Sequence, residues 1–119
     1  GFNIDRLYQS FSHYKHLLVN NKYKNNYIYN KTIFEIKESD FIDCDFFLLQ
    51  EKRCLNAAPS VLHFSYYDDL KQVDKFIEEN QNQIQCVVSK LHVNFGLAQK
   101  PALFDYMDNK DTINFINNI

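Results

Sequence analysis

The sequence predicts an α/β fold, in which a small mixed sheet of three to four strands packs with an N-terminal helix, one crossover helix and a short C-terminal helix. Two patterns indicate it: segments with apolar residues every three or four positions, and short runs of aromatic and β-branched residues between them. Hydrophobic residues make up 45% of the 119 residues and aromatic residues 16%, with 11 Phe, 8 Tyr and no Trp. This composition is sufficient for a core rich in phenyl rings and argues against extended disorder.

The chain is predicted to begin with an amphipathic helix over residues 3–20. Asn3 suits its N-cap, and the asparagine pair at 20–21 suits its end. The apolar face consists of Ile4, Leu7, Tyr8, Phe11, Tyr14 and Leu18. Residues 23–30 are expected to form a loop or a short helical turn, because Asn side chains compete for backbone hydrogen bonds. Residues 32–36 alternate weakly and are a candidate strand.

Two strands are predicted in the middle of the chain. Residues 46–49 are a continuous apolar run, which is typical of a buried strand. Residues 60–66 are rich in aromatic and β-branched side chains. The acidic segment 37–45 and the polar segment 50–60 are expected to be irregular.

A second helix is predicted over residues 69–80, capped by Asp68 or Asp69, and a further strand over residues 84–89. The buried stripe of this helix is expected to be Leu70, Val73, Phe76 and Ile77. Together these segments form a strand–helix–strand unit over residues 60–89. Such a unit usually joins parallel strands through a right-handed crossover.

The last part of the chain carries turn signals and one more helix. Glycine and proline mark residues 92–110, and Asp111 or Thr112 is expected to cap a short helix. Its apolar residues are Ile113, Phe115 and Ile116. No repeat or linker divides the sequence, so residues 1–119 are expected to be a single domain or a fragment. Gly1 in place of Met is explained by a tag scar or by a processed or truncated start, so the chain is not expected to be a natural full-length product.

Charge and cysteine usage exclude several classes of protein. The formal net charge of −2 provides no basic field for nucleic acid. A mildly basic stretch, Lys15, His16, Lys22 and Lys24, is interpreted as a solvated helix face rather than as a phosphate or CoA site. No run of 18 apolar residues predicts a membrane span, and no leader is visible. Three cysteines without CxxC spacing favour a reducing cytoplasm over a disulfide framework or a zinc knuckle.

Three groups of segments carry a family resemblance. They are NNYIYNK at 25–31; FFLLQE at 46–51, PSVL at 59–62 and YYDDL at 66–70; and IQCVVSK at 84–90, FGLAQ at 95–99, PALFDYMD at 101–108 and DT at 111–112. In this order and spacing, over roughly residues 23–116, they resemble the bacterial fatty-acyl-CoA reductases of the LuxC type, in their Bacteroidetes-like version. These enzymes belong to the aldehyde dehydrogenase superfamily. The chain departs from the family pattern at Met107, where the family has a small residue, and at 109–110, where it has a glycine-containing pair.

The resemblance implies that the chain is the C-terminal part of an NADPH-dependent long-chain acyl-CoA reductase. In that family a cysteine thiolate takes the acyl group from CoA as a thioester, and a hydride from NADPH releases the fatty aldehyde. The reactive cysteine of the family precedes the region that this chain resembles. Gly1 and Gly96 are the only glycines, so a glycine-rich phosphate loop is absent from the sequence. The expected partners are therefore the remainder of the parent reductase, its acyl-CoA substrate and, through exposed apolar surface, a second copy.

The resemblance also marks Phe95, Gly96, Gln99 and Tyr106 as candidate substrate-channel residues, because late segments of aldehyde dehydrogenases help to line the acyl channel. A purely structural packing role is the favoured alternative. Gly96 is expected to need a positive φ or to permit a close backbone approach.

No catalytic or metal-binding residue is predicted in the chain. Cys86 lies in an apolar strand pattern and is expected to be a buried structural thiol. The other groups with possible chemistry are Cys44, Cys54, His13, His16, His63, His92, Asp105, Asp108 and Asp111. For each, a loop position, a solvated face or a helix cap is favoured over nucleophilic or metal chemistry.

Two other functions stay open. The chain could be a stand-alone, non-catalytic α/β module for binding or interaction. The third possibility, an independent thiol enzyme using Cys86 or Cys54, is the weakest, because neither residue belongs to a recognisable nucleophile motif.

Overall fold

The computed structural model describes residues 3–102, 105–106 and 111–118. It comprises two compact units, an N-terminal unit (Gly1–Tyr66) and a C-terminal unit (Tyr67–Ile119). The prediction of one domain or fragment over 1–119 stays a prediction. The fold class is confirmed, because the described residues form four α-helices and a three-stranded mixed sheet.

The N-terminal unit begins with two helical segments in direct succession. Helix α1 spans Ile4–Phe11 and continues as a 3-10 helix over Ser12–Val19. Asn3 caps α1 by accepting a hydrogen bond from the backbone N–H of Arg6, at 2.9 Å, as the sequence predicts. The predicted end at Asn20 is also confirmed, because its backbone is extended (φ −75°, ψ 112°).

The predictions of a loop at 23–30 and a strand at 32–36 are wrong. Helix α2 spans Asn21–Ile36, and its N-cap is Asn20, whose side chain accepts from the Tyr23 N–H at 3.1 Å. The asparagines do not break the helix here. Asn26 and Asn30 donate their side-chain N–H groups to the carbonyls four residues earlier, at 2.8 and 2.9 Å, while the backbone bonds are kept.

The sheet joins three short strands: β1 (Ile42–Asp43), β2 (Leu48–Glu51) and β3 (Val61–Phe64). Strand β2 is central, antiparallel to β1 and parallel to β3. The predicted strands at 46–49 and 60–66 are thus confirmed in kind, with shifted bounds, whereas the segment 37–45 contains β1 and is not wholly irregular. The parallel pair β2–β3 is connected through residues 52–60, which contain no helix.

The predicted strand–helix–strand unit over 60–89 is wrong. Helix α3 (Leu70–Glu79) forms, but residues 84–89 are not a strand. They carry one isolated parallel bridge, between Val88 and Val93. Their alternating apolar pattern has no neighbouring strand among the described residues, and the chain instead turns back on itself through the bonds Ser89 N–H to Val93 O and Val93 N–H to Val87 O.

The core of the N-terminal unit is built on the apolar run that precedes and enters β2. Phe46, Phe47, Leu48 and Leu49 are at most 3% exposed, and Leu48 is fully buried. Cys44, Phe46, Phe47 and Leu49 form one cluster, on which half-buried apolar side chains of Ile4, Leu7, Tyr8, Phe11, Leu18 and Phe64 pack. The rings of Phe11 and Phe47 meet edge to face at 5.7 Å, so phenyl rings supply much of the core, as the composition predicts.

The C-terminal unit has well-formed caps but little burial. Asp69 caps α3 by accepting from the Lys71 N–H at 3.2 Å. Asp111 caps α4 (Thr112–Asn117) through the N–H groups of Ile113 and Asn114, at 3.0 Å each. Both caps are confirmed. The buried stripe of α3 is only partly formed, because Val73, Phe76 and Ile77 are half-buried and Leu70 is exposed.

Candidate functional site

The carboxylate of Asp43 accepts three hydrogen bonds within the N-terminal unit. Its carboxylate accepts from the Tyr27 hydroxyl and from the Lys31 ammonium of α2, both at 2.6 Å, and from the backbone N–H of Asp45 at 2.9 Å. Partial burial opposes ionisation of Asp43, but the hydrogen bonds from Lys31 and Tyr27 outweigh it, so the pKa of Asp43 is lowered. The same pairing raises the pKa of Lys31.

Asp45 makes the matching connection to the first helical segments. Its carboxylate accepts from the Tyr8 hydroxyl at 2.8 Å and from the Lys15 ammonium at 3.4 Å. These hydrogen bonds, first that from Tyr8, lower the pKa of Asp45. The backbone of Asp45 has a φ of 66°, a conformation that Asp tolerates better than most residues. The loop between β1 and β2 is therefore tied to helices on both flanks.

Between these two carboxylates lies Cys44. Its side chain is 4% exposed, which corrects the expectation of a thiol in a polar loop. Burial, then the negative charges of Asp43 and Asp45, raise the pKa of the Cys44 thiol. Because the thiolate is the nucleophilic form, burial and the raised pKa both disfavour nucleophilic chemistry at Cys44.

Helix α2 makes two further contacts through the same face. The Tyr23 hydroxyl donates to the Phe46 carbonyl, and the Asn30 side chain donates to the Pro59 carbonyl, both at 2.9 Å. With Tyr27 and Lys31, these residues occur at positions i, i+4, i+7 and i+8 of one helix face. We call Tyr23, Tyr27, Asn30 and Lys31 the α2 clamp. Three of the four belong to the segment 25–31 that carries the family resemblance, and here they hold the loops that enter β2 and β3.

The four predicted channel residues all belong to the C-terminal unit. Phe95 is 73% exposed, Gln99 is exposed and Tyr106 is half-buried. Gly96 has a φ of 82°, which confirms the expected positive φ, and open space surrounds the position of an added Cβ, so no close backbone approach requires glycine there. Their role in a substrate channel stays a prediction.

The C-terminal unit also contains an open cleft of about 420 Å³. Its described lining consists of Ile77, Gln81, Ile84, Gln85, Cys86, Val87, His92, Val93 and Asp105, and so includes none of the four channel candidates. Cys86 is exposed, so its prediction as a buried thiol is wrong. The His92 Nδ1 lies 2.8 Å from the Ser89 hydroxyl oxygen, and the Asp105 carboxylate accepts from the Ala102 N–H at 2.7 Å. These polar groups serve local turns.

The remaining candidate ligands are dispersed. The Nδ1 of His16 bonds the His13 carbonyl at 2.7 Å, and the Nδ1 of His63 bonds the Cys54 carbonyl at 3.1 Å. Asp111 is a helix cap, as expected, and Asp108 lies outside the described residues. Within the ranges that the structure describes, no three His, Cys, Asp or Glu side chains are grouped so that they could hold a metal ion.

The sequence did not predict the contacts that hold the β1–β2 loop. These are the bonds of Asp43 and Asp45 to their tyrosine and lysine partners on the helices. The spacing of the α2 clamp, which fits one helix face, is the signal that points to these contacts, whereas the asparagines of the same segment favour a loop. In the described part of the chain, no helix has the length and apolar character needed to cross a membrane.

No protein-family model, curated protein or solved structure matches the chain.

Proposed function

We propose that the chain is the C-terminal part of an NADPH-dependent long-chain acyl-CoA reductase of the LuxC type, and that it contributes packing rather than the reacting groups. The observation that carries the proposal is the ordered series of similar segments from 25–31 to 111–112. No single segment is specific. Their common order and near-family spacing support a relationship over most of the chain.

The proposed reaction needs a thiolate and a nucleotide site. The thiolate attacks the acyl-CoA carbonyl, so that the S–C bond of the new thioester forms, the bond between the acyl carbon and the CoA sulfur breaks, and CoA leaves as its thiolate. NADPH, where bound, would supply the hydride that reduces this thioester to the aldehyde. Cys44 does not suit the first step, because it is buried and its pKa is raised. The sequence also lacks the glycine-rich turn that brings backbone N–H groups to a nucleotide pyrophosphate. The residues present therefore do not fit NADPH. Because the reactive cysteine of the family precedes the region that this chain resembles, we assign both groups to the remainder of the parent enzyme.

The α2 clamp supports this division of roles. The residues of segment 25–31 that resemble the family are polar and aromatic. In this fold three of them bind the Asp43 carboxylate and the Pro59 carbonyl. A segment used in this way serves the geometry of the sheet. Its resemblance to a reductase is then a resemblance in scaffold, as expected for a part without the nucleophile.

The proposal is tested on the chain and on its coding sequence. Calorimetric titration of the 119-residue chain with NADPH should give no binding heat, and an NADPH-oxidation assay with a long-chain acyl-CoA should give no turnover. The reading frame upstream should continue into a nucleotide-binding region and a reactive cysteine, and the product of the whole frame should oxidise NADPH with acyl-CoA. A start codon immediately before Phe2, or turnover by the isolated chain, would overturn the proposal.

A stand-alone interaction module is the second candidate. The observation that favours it is the exposure of large apolar side chains in the C-terminal unit, including Leu91 (87%), Phe95 (73%) and Phe115 (68%). Where such side chains form a contiguous patch, they mark contact with another molecule. A reading frame that ends directly upstream would favour this candidate; a frame encoding a reductase would assign the same surface to docking within the parent enzyme.

A further inference from the structure

The first two helical segments cover the core cluster without being part of it. Neither α1 nor the 3-10 helix contains a buried residue. Their half-buried side chains Ile4, Leu7, Tyr8, Phe11 and Leu18 lie on the cluster of Cys44, Phe46, Phe47 and Leu49. The polar bonds from Tyr8 and Lys15 to Asp45 are at the surface, where solvent competes with them.

The second of these segments is an unusual helix. The 3-10 conformation persists for eight residues, from Ser12 to Val19, whereas runs beyond three or four residues are uncommon because the hydrogen bonds have poorer geometry. The segment therefore lacks the i to i−4 hydrogen bonds of an α-helix while it lies on the core cluster. A 3-10 helix of this length is held by weaker backbone hydrogen bonds than an α-helix of the same length.

The connection to the rest of the unit is a single extended residue. Asn20 stands between the 3-10 helix and α2, and its side chain caps α2 independently of what precedes it. The α2 clamp holds α2 to Asp43, Phe46 and Pro59 without using any residue before Asn20. The helix α2 and the sheet therefore keep their own attachments when residues 4–19 are removed from the cluster.

We propose that residues 4–19 form a strap that opens about Asn20 as one unit, uncovering Cys44, Phe46 and Phe47 while α2 and the sheet stay folded. In the closed state the strap makes Cys44 inaccessible; in the open state the thiol and the apolar cluster beneath it face solvent. This device is independent of the proposed reductase function. It gives the N-terminal unit a sub-global opening, distinct from complete unfolding.

The Cys44 thiol itself reports the opening. The full 119-residue chain is treated with N-ethylmaleimide, and the labelling of each cysteine is followed by peptide mass spectrometry. Cys86 is exposed and serves as the internal reference for reactivity of an accessible thiol. The ratio of the Cys44 and Cys86 rates then measures the fraction of time that Cys44 is uncovered. We expect this ratio to rise only weakly with urea, because opening exposes far less surface than global unfolding.

Two matched variants locate the opening. Phe11→Ala removes a ring of the strap that packs on Phe47. We expect this change to raise the relative labelling of Cys44 about tenfold or more. Phe34→Ala removes a ring from α2 that pairs with Phe41, and we expect it to lower global stability but leave Cys44 labelling at low urea unchanged. If Phe11→Ala does not fold, Tyr8→Phe replaces it, with a smaller rise expected.

Amide exchange provides the second measurement. The N–H groups of residues 7–19 should exchange with one shared opening constant, equal to that of Cys44, while the amides of α2 stay protected. The proposal is overturned if Cys44 labelling has the full urea dependence of global unfolding. It is equally overturned if Phe11→Ala and Phe34→Ala accelerate labelling in proportion to their effects on global stability.

Discussion

Replacement of Asn30 by alanine tests whether α2 fixes the loop that enters β3. Asn30 is 8% exposed, and its side chain donates to the Pro59 carbonyl and to the Asn26 carbonyl, both at 2.9 Å. The bond to Asn26 lies within the helix, and the Asn26 carbonyl already accepts a hydrogen bond from a backbone N–H. The bond to Pro59 is the contact between elements, so it carries the effect on stability.

The magnitude follows from two opposed contributions. Leaving a fully buried carbonyl without its donor costs roughly 1–3 kcal/mol. The lower part of that range applies here, because Pro59 is an exposed residue, its bond to Asn30 is only partly buried, and the Ser60 hydroxyl also contacts its carbonyl. Alanine is a better helix former than asparagine and returns up to about 0.7 kcal/mol. We therefore expect Asn30→Ala to lower the free energy of unfolding by about 1 kcal/mol.

Urea unfolding followed by far-UV circular dichroism gives this free energy. Asn26→Ala is the matched control, because the Asn26 side chain donates to the Lys22 carbonyl within α2, at 2.8 Å. This variant should be neutral or slightly stabilising. Asn30→Asp should be worse than Asn30→Ala, because its carboxylate not only lacks the donor but also places a negative charge beside the Pro59 carbonyl oxygen. Equal stabilities of Asn30→Ala and Asn26→Ala would refute the reasoning.

Three further perturbations follow from the structure. Asp43→Asn should destabilise the chain at pH 7. Because the folded pKa of Asp43 is lowered, its contribution to stability is present above the unfolded value of about 4 and is lost as pH falls through the folded pKa. The urea midpoints of variant and wild type should therefore converge in acid, and a pH-independent difference would contradict this. Leu48→Ala, at a fully buried site in the central strand, should cost about 2–5 kcal/mol in urea unfolding, whereas Leu62→Ala, 42% exposed on β3, should cost far less; similar costs would contradict the assigned core. Gly96→Ala should cost about 1–2 kcal/mol of local stability through its positive φ alone, measured as faster amide exchange around the turn, and unchanged exchange would argue against that conformation.

Local chemistry was the predictable part of this fold. Asn3, Asp69 and Asp111 cap the helices that follow them because each offers an oxygen to N–H groups that have no partner within the helix. The apolar run at 46–49 is buried because moving its side chains out of water is favourable. Such features depend on a few neighbouring residues, so the sequence contains the information needed to predict them.

The errors share one physical cause, which is that distant partners decided the outcome. Residues 23–30 favour a loop by propensity, yet they form a helix because Tyr27 and Lys31 reach Asp43, which lies 16 and 12 positions away. Residues 84–89 have a strand pattern but no neighbouring strand among the described residues, so their backbone bonds close a turn instead. Neither result can be obtained from a window of ten residues.

The two thiols show how this affects the candidate site. Cys86 has apolar neighbours in sequence and is exposed, whereas Cys44 stands between two aspartates and is buried. The aspartates are the reason for the burial of Cys44: with their side chains directed to Tyr27 and Lys31 on one flank and to Tyr8 on the other, the residue between them is directed into the phenylalanine cluster. An acidic sequence environment therefore surrounds a buried thiol whose pKa is raised. Charge near a cysteine predicts reactivity only when the direction of the neighbouring side chains is known, and in this chain the helices on both flanks set that direction.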